Sequence, residues 1–410
     1  MPLHFSYWIK NGSVLISQRF ISTILYAITS LVFANFLSKE DFGTYKYIFA
    51  IIGILNVLTL PDIGTALIQS IARNQTPPLG IIFEKKLKRS LLASIACIFL
   101  SGFFLLKNNS ILGISFLILT FFLPLYNAFS IYDALLQGKK LFIRSYRYSL
   151  FVEFTCNIIL ILTVILSHKI PIILLVFFAS YTVLRAIFFI KTLKEFPTNN
   201  TDGNEVINYG KHLNIMRILA TVSSYADEII TFHFLGAPSL AIYAIVTAIP
   251  EQIKSILGTL YTLAFPKFSE AQEIDIRKNM KTITLFFFLI GIFFIGLYIL
   301  TAPYIFKVFF SNYMDIVFLS QLFAISMLNI AFTPVELFLK SKKKVKELYL
   351  INIITSIFQI FTITLFIIYY GLIGLVISRI MCRFLSGILC YYFYQKTRHH
   401  EITVFSEALT

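Results

Sequence analysis

Apolar runs of about twenty residues, separated by short polar or charged stretches, recur from one end of this chain to the other. That length is what an α-helix needs to cross a bilayer core of about 30 Å. Turn residues and charges divide the pattern into twelve spans, near 12–36, 46–68, 89–106, 111–136, 148–167, 171–190, 210–235, 239–263, 282–302, 316–339, 348–369 and 371–394. The separations near 108–110 and 369–371 each split what would otherwise be one long run. The pattern predicts an all-α polytopic membrane protein with twelve transmembrane helices. Composition agrees: the 410 residues are 58% hydrophobic and 13% charged, about half the charged fraction usual in soluble domains.

Charge placement tests the span map independently. With a cytoplasmic N-terminus, 24 of the 35 Lys and Arg fall in cytoplasmic segments or at the span ends that border them. The opposite side holds five, Lys39, Lys46, Lys107, Lys169 and Lys307, and six more lie within spans. This is the bias of the positive-inside rule, and a wrong span count would scramble it. Both termini are therefore expected in the cytoplasm. The net charge of +15 follows from the same bias. "FEKKLKR" and "KSKKKVK" flank spans on the cytoplasmic side, so they read as topology signals in contact with anionic lipids, with no nucleic-acid partner. The first apolar segment is too long for a signal peptide, and no small-residue cleavage site follows it.

Cysteine and histidine add no chemistry. Cys97, Cys156, Cys382 and Cys390 lie singly within spans, and His399 and His400 form a tail pair without supporting ligands. Neither a disulfide framework nor a metal or cofactor site is expected.

The two halves resemble each other at an offset of 198 residues: Gly12 matches Gly210, Arg19 matches Arg217, Phe36-Leu37 matches Phe234-Leu235, and Tyr45 matches Tyr243. Both segments open a six-span half on the same membrane side. An even number of spans per half predicts a parallel repeat, with a pseudo-twofold axis along the membrane normal, a plan used by transporters. The expected organisation is an N-terminal six-helix lobe over 1–195, a cytoplasmic linker over 196–209, a C-terminal six-helix lobe over 210–396 and a cytoplasmic tail over 397–410.

The elbow "FLSKEDFGTYKY", then "LPDIGTALIQSIAR", "FLGAPSLAIYAI", "AFPKFSE" and "LTAPYIFKVFFSNYMDIVFLSQLFAISML" resemble the polysaccharide flippases of the multidrug/oligosaccharidyl-lipid/polysaccharide (MOP) exporter superfamily, in particular the Wzx O-antigen or capsule repeat-unit flippases. The resemblance covers nearly the whole chain. It implies two six-helix lobes around a central cavity that opens alternately to either side, lateral gates for a lipid tail, and an undecaprenyl-pyrophosphate-linked glycan as substrate. It also implies the polymerase and chain-length regulator of the same pathway as partners.

Charges inside spans suggest where such a substrate would bind. A cation at the bilayer centre costs roughly 2.5–3.5 kcal/mol on insertion scales, so buried basic residues usually face protein or a water-filled cavity. Arg19 lies roughly 10 Å inside the cytoplasmic edge of span 1, and Arg217 lies at the matching depth in span 7. Either can snorkel to the headgroups, but as repeat-related residues of the lobe-starting helices both are expected to flank the cavity. Lys254 is about 22 Å from the outer face, too deep to reach it by snorkelling, and Arg185 in span 6 lies about 21 Å from that face. Arg379 and Arg383, one turn apart in span 12 with no acid in that span, need an anion from elsewhere. These six residues suit a pyrophosphate, whose oxygens arginine engages through paired hydrogen bonds. "TSIFQ", "NIAFT" and lumenal tyrosines offer partners for sugar hydroxyls.

Acids are scarcer. Glu251 follows Pro250 and shares a helix face with Lys254, so the two can neutralise each other. Asp62 follows Pro61, Asp227 and Glu228 point to different faces of span 7, and Glu153 opens span 5. Structural pairing with basic residues is the expected role for most of them; a proton- or cation-coupling role stays open for Glu251, Asp227 and Asp62.

Two other classes are weighed against a flippase. A proton- or sodium-coupled drug or cation exporter of the same superfamily would rely on membrane carboxylates, whereas here the first span has no acid and basic residues dominate. A membrane-embedded polysaccharide polymerase or glycosyltransferase would need a large external loop or an acidic metal motif. The sequence also lacks H-E-x-x-H, G-x-x-x-x-G-K-[ST] and G-x-S-x-G, so neither hydrolase nor ATPase chemistry is expected.

Overall fold

Every regular element among the described residues is helical. The computed structural model describes the backbone of residues 5–73, 79–196, 203–270, 273–342 and 344–407, and within these the side chains other than 5–19, 216, 259–275 and 398–407. Thirteen helices follow in order: α1 (Phe5–Phe36), α2 (Lys39–Leu55), α3 (Ile63–Ala72), α4 (Leu79–Leu106), α5 (Ser110–Phe129), α6 (Ile131–Gly138), α7 (Phe142–Leu166), α8 (Ile170–Glu195), α9 (Asn204–Glu270), α10 (Glu273–Phe309), α11 (Val317–Ala324), α12 (Thr333–Ser341) and α13 (Val345–Glu407). Helices α9 and α13 each break once, at Gly236 and Gly371, whose positive φ values of 81° and 59° suit glycine. Nine stretches among the described residues are long and apolar enough to cross a membrane, two of them containing these breaks. With both broken helices crossing twice and α1 added, the twelve expected spans are all present.

The elbows reflect the repeat. The α1–α2 turn falls at Ser38, and the α9 break falls at Gly236, the same 198-residue offset. Ser38 is extended (φ −64°, ψ 155°) and caps α2, its hydroxyl accepting from Asp41 N at 3.0 Å. The second elbow uses a positive-φ glycine, and Ser239 Oγ donates across it to the Leu235 carbonyl at 2.9 Å.

Several expected spans are broken rather than continuous. Span 2 runs through α2, a 3-10 turn over Asn56–Thr59, a left-handed Leu60 (φ 54°) and then α3. Pro61 is the cause, because its ring excludes the right-handed helical conformation from the residue before it. Span 4 bends at Ser130 between α5 and α6, and span 10 carries a 3-10 stretch over Ile325–Phe332 before Pro334 starts α12.

Contacts divide the chain into two compact units, Met1–Phe232 and His233–Thr410. The first includes the first half of α9, beyond the six-span boundary of the repeat. Its core gathers Leu60, Ile63, Leu67, Ile82, Leu135, Leu136, Phe189 and Ile207. Helices α4 and α5 form a tight hairpin in which Ser94 and Ser101 donate to the carbonyls of Thr120 and Gly113 at 2.7 and 2.8 Å. In the second unit Met280, Val335, Phe338, Ile351 and Tyr394 form one cluster, and Val246, Phe323 and Val376 another. Phe99, Leu166, Phe293 and Phe361 point outward, as suits helices solvated by lipid.

Candidate functional site

In the first unit, the break in span 2 builds a polar site. Pro61 has no N–H to give the carbonyl of Val57, four residues earlier. That carbonyl instead accepts from Asn214 Nδ2 on α9 at 2.8 Å. One turn along, Arg217 Nη1 reaches Asp62 Oδ1 at 2.5 Å. The Asp62 side chain is 5% exposed and that of Arg217 65%. The acid is thus buried while most of the Arg217 side chain is exposed, and a guanidinium has more donors than this one contact uses. The second carboxylate oxygen, Asp62 Oδ2, has no hydrogen-bond partner among the described residues.

Arg185 lies apart from this pair. Its guanidinium stands 4.0 Å from the ring centroid of Tyr126 and 5.3 Å from that of Tyr181, and donates to the Tyr126 carbonyl at 3.0 Å. Both rings present the negative faces that favour a cation. Close by is Lys86, whose charge is felt together with that of Arg185. Lys86 corrects the sequence reading: within "FEKKLKR", Lys85 and Lys88 are exposed, but Lys86 is buried and donates to Ser130 Oγ at 3.3 Å. Helical spacing could have revealed it, because Lys86 sits on the inward stripe of α4 with Ser90, Ser94, Cys97 and Ser101.

In the second unit the site lies on α9, α13 and the 3-10 stretch of span 10. Arg383 Nη2 is paired with Glu251 Oε1, and Arg383 Nη1 donates to Ser326 Oγ at 2.6 Å. The Phe323 ring lies 5.0 Å from the same guanidinium. Here the exposures are reversed, 11% for the Arg383 side chain and 38% for that of Glu251. No direct ion pair joins Glu251 and Lys254 among the described residues; the partner of Glu251 is Arg383, so the anion that span 12 needs for Arg383 comes from span 8. Lys254 and Arg379 stand near enough to act on the Glu251 charge. Three cations therefore surround one carboxylate, an arrangement that favours a further anion.

The remaining expected residues separate. Asp227 is buried on the first half of α9, and Glu153 accepts from Ser22 Oγ at 2.5 Å. The Arg19 side chain lies outside the described residues. No group of three or more His, Cys, Asp and Glu that could hold a metal ion occurs among the described residues. Sequence reasoning missed Asn214, Ser326 and the Tyr126–Tyr181 cage, whose contacts join residues far apart in the chain.

The fold is that of a helical, multi-pass membrane protein with basic residues inside its membrane-crossing helices. Residues 8–272 match the model of the family described as "Polysaccharide biosynthesis protein", and the chain belongs to that family. No curated relative matches. Among solved structures, the chain is similar to an inward-facing multidrug resistance MATE family transporter of the MOP superfamily, with a TM-score of 0.66, 13% identity and coverage of 92% of this chain and 94% of that one. It is also similar to the eukaryotic MATE transporter AtDTX14, with a TM-score of 0.62, 13% identity and coverage of 96% and 97%. A third is a MOP superfamily transporter from Pyrococcus furiosus described as having a binding pocket of reverse polarity, with a TM-score of 0.54, 11% identity and coverage of 95% of each chain.

Proposed function

We propose that this protein is a flippase for undecaprenyl-pyrophosphate-linked oligosaccharide repeat units, moving them from the cytoplasmic to the periplasmic leaflet of a bacterial inner membrane for O-antigen or capsule synthesis. The observation that carries this reading is Arg217, a cation on a membrane-crossing helix that is anchored to a buried acid yet 65% exposed. Exposed guanidinium donors at that depth suit phosphate oxygens. Arg383, Arg379 and Lys254 supply a second basic site, and Arg185 with Lys86 a third. Arg19 belongs with Arg217 by the repeat. The family description supports a role in polysaccharide assembly. With both termini cytoplasmic, outward movement of an anionic headgroup is favoured by the membrane potential at about 2.3 kcal/mol per charge per 100 mV. Alternating access between the lobes would carry the headgroup across while the isoprenoid tail stays in lipid. Products would pass to the polymerase and chain-length regulator of the same pathway.

The competing reading, an exporter of cationic compounds, would need carboxylates open to the ligand. The two acids beside proline, Asp62 and Glu251, are both engaged by arginine. Reconstitution into proteoliposomes separates the readings. The flippase should translocate a fluorescent oligosaccharyl pyrophosphate lipid, with loss of transport but normal abundance in Arg217→Ala and Arg383→Ala. Efflux of a cationic dye with no movement of the pyrophosphate lipid would establish the exporter instead.

A further inference from the structure

The two halves of the chain carry the same device. Span 2 contains "LPDIG" and span 8 contains "IPEQI", each with an acid directly after a proline. In both, the carbonyl four residues before the proline loses its backbone donor and is capped by a side chain from another span. Val57 O accepts from Asn214, and Val246 O accepts from Ser320 Oγ, both at 2.8 Å. In both, the acid then holds an arginine from another span: Asp62 holds Arg217, and Glu251 holds Arg383. Spans 2 and 8 are equivalent in the repeat, but the two prolines are 189 residues apart rather than 198 and the two arginines come from spans 7 and 12, so the repeat carries over neither the position of the break nor the arginine. The shared element is therefore the proline–acid pair.

We propose that Asp62 and Glu251 are placeholder carboxylates, each occupying its arginine until a phosphate of the substrate displaces it. This rests on the flippase reading above and adds a role for the acids. A carboxylate and a phosphate compete for the same guanidinium fork. While the site is empty, the acid neutralises and orients the arginine inside the membrane, where an unpaired charge is costly. When phosphate arrives, the arginine changes partner without the site ever holding a bare cation. When substrate leaves, the acid recaptures the arginine, which limits affinity and speeds release. Each pair has one open partner and one buried one: Arg217 is open to an incoming anion and Glu251 is open to water once displaced, whereas the buried Asp62 stays within reach of the donors that the phosphate leaves free on Arg217.

The test uses the full-length protein in lipid nanodiscs, with farnesyl pyrophosphate as the binding probe and the fluorescent pyrophosphate lipid for flipping. Asp62→Asn and Glu251→Gln keep the side-chain shape and remove the competing charge. Each should bind the probe roughly two- to fivefold more tightly, the range for losing a partly exposed ionic competitor, and should flip more slowly because release is impaired. A structural role predicts the opposite for binding, because a misplaced arginine binds less well. Should Asp62→Asn fail to fold, Glu251→Gln decides alone. Wild-type binding with unchanged or weaker binding in the folded variants overturns the placeholder role and leaves the flippase reading intact. Absence of probe binding by the wild type overturns both.

Discussion

Gly53 on α2 faces the ring of Tyr225 on α9, and a Cβ placed at Gly53 would stand 2.2 Å from Tyr225 Cζ. Only a residue without a side chain allows this approach. The contact belongs to a seam along which span 7 lies on span 2, from Gly210 against Ile63 to the stacked rings of Tyr47 and Phe232, 3.9 Å between centroids. Gly53→Leu should therefore force the seam apart, at a cost of about 1–3 kcal/mol for overpacking. A lowered thermal midpoint in detergent, partly restored by adding Tyr225→Ala, checks the relationship. An unchanged midpoint in Gly53→Leu would count against the packing.

Asn214 and Ser320 should matter for stability out of proportion to their size. Truncating either to Ala strands a buried carbonyl opposite a proline, a loss of about 1–3 kcal/mol. Ser320→Ala also deprives Tyr298 of its hydroxyl partner at 2.6 Å, so it should be the more damaging of the two. Midpoints ranked wild type, Asn214→Ala, Ser320→Ala are the expected order.

Arg185→Lys keeps the charge but loses the planar stack on Tyr126 and the fixed donor to its carbonyl. Cation–π attraction at such sites is worth roughly 0.5–2 kcal/mol, so transport should fall several-fold with abundance unchanged. Full activity in Arg185→Lys would mean that charge alone suffices there.

Lys86→Met should raise stability while reducing transport. A buried cation with one neutral partner is costly, and replacing buried charge with apolar volume is often neutral or stabilising by about 1–4 kcal/mol. A higher midpoint together with slower flipping would place the Lys86 charge in the anion path. Stabilisation without loss of transport would limit it to a helix-packing residue.

Accessible tags near residues 140 and 343 should report the cytoplasm, and tags near 108 and 311 the opposite side. Reversal of either pair would contradict the charge bias that orients the chain.

The spans, their number and the repeat were legible in the sequence because they are local properties. A bilayer demands about twenty apolar residues in a row wherever a helix crosses it, and a duplicated segment keeps its elbow, here Ser38 and Gly236. Pro61 and Pro250 are visible in the sequence, and each leaves a carbonyl without its helical donor. Which residues would make good that loss was not legible. Asp62 and Arg217 are 155 residues apart, and Glu251 and Arg383 are 132 apart. Pairing at such separations depends on how each helix is rotated and how far it slides against its neighbour. The helix spacing on α9 allowed Glu251 to face Lys254, yet the fork of Arg383, fixed by Ser326 and Phe323 from span 10, took the carboxylate. Lys86 shows the same limit, since its charge marked it for the membrane surface while the inward stripe of α4 carried it into the core. Hydrophobic length is set within a helix, and the chemistry of a charge within the membrane is set between helices.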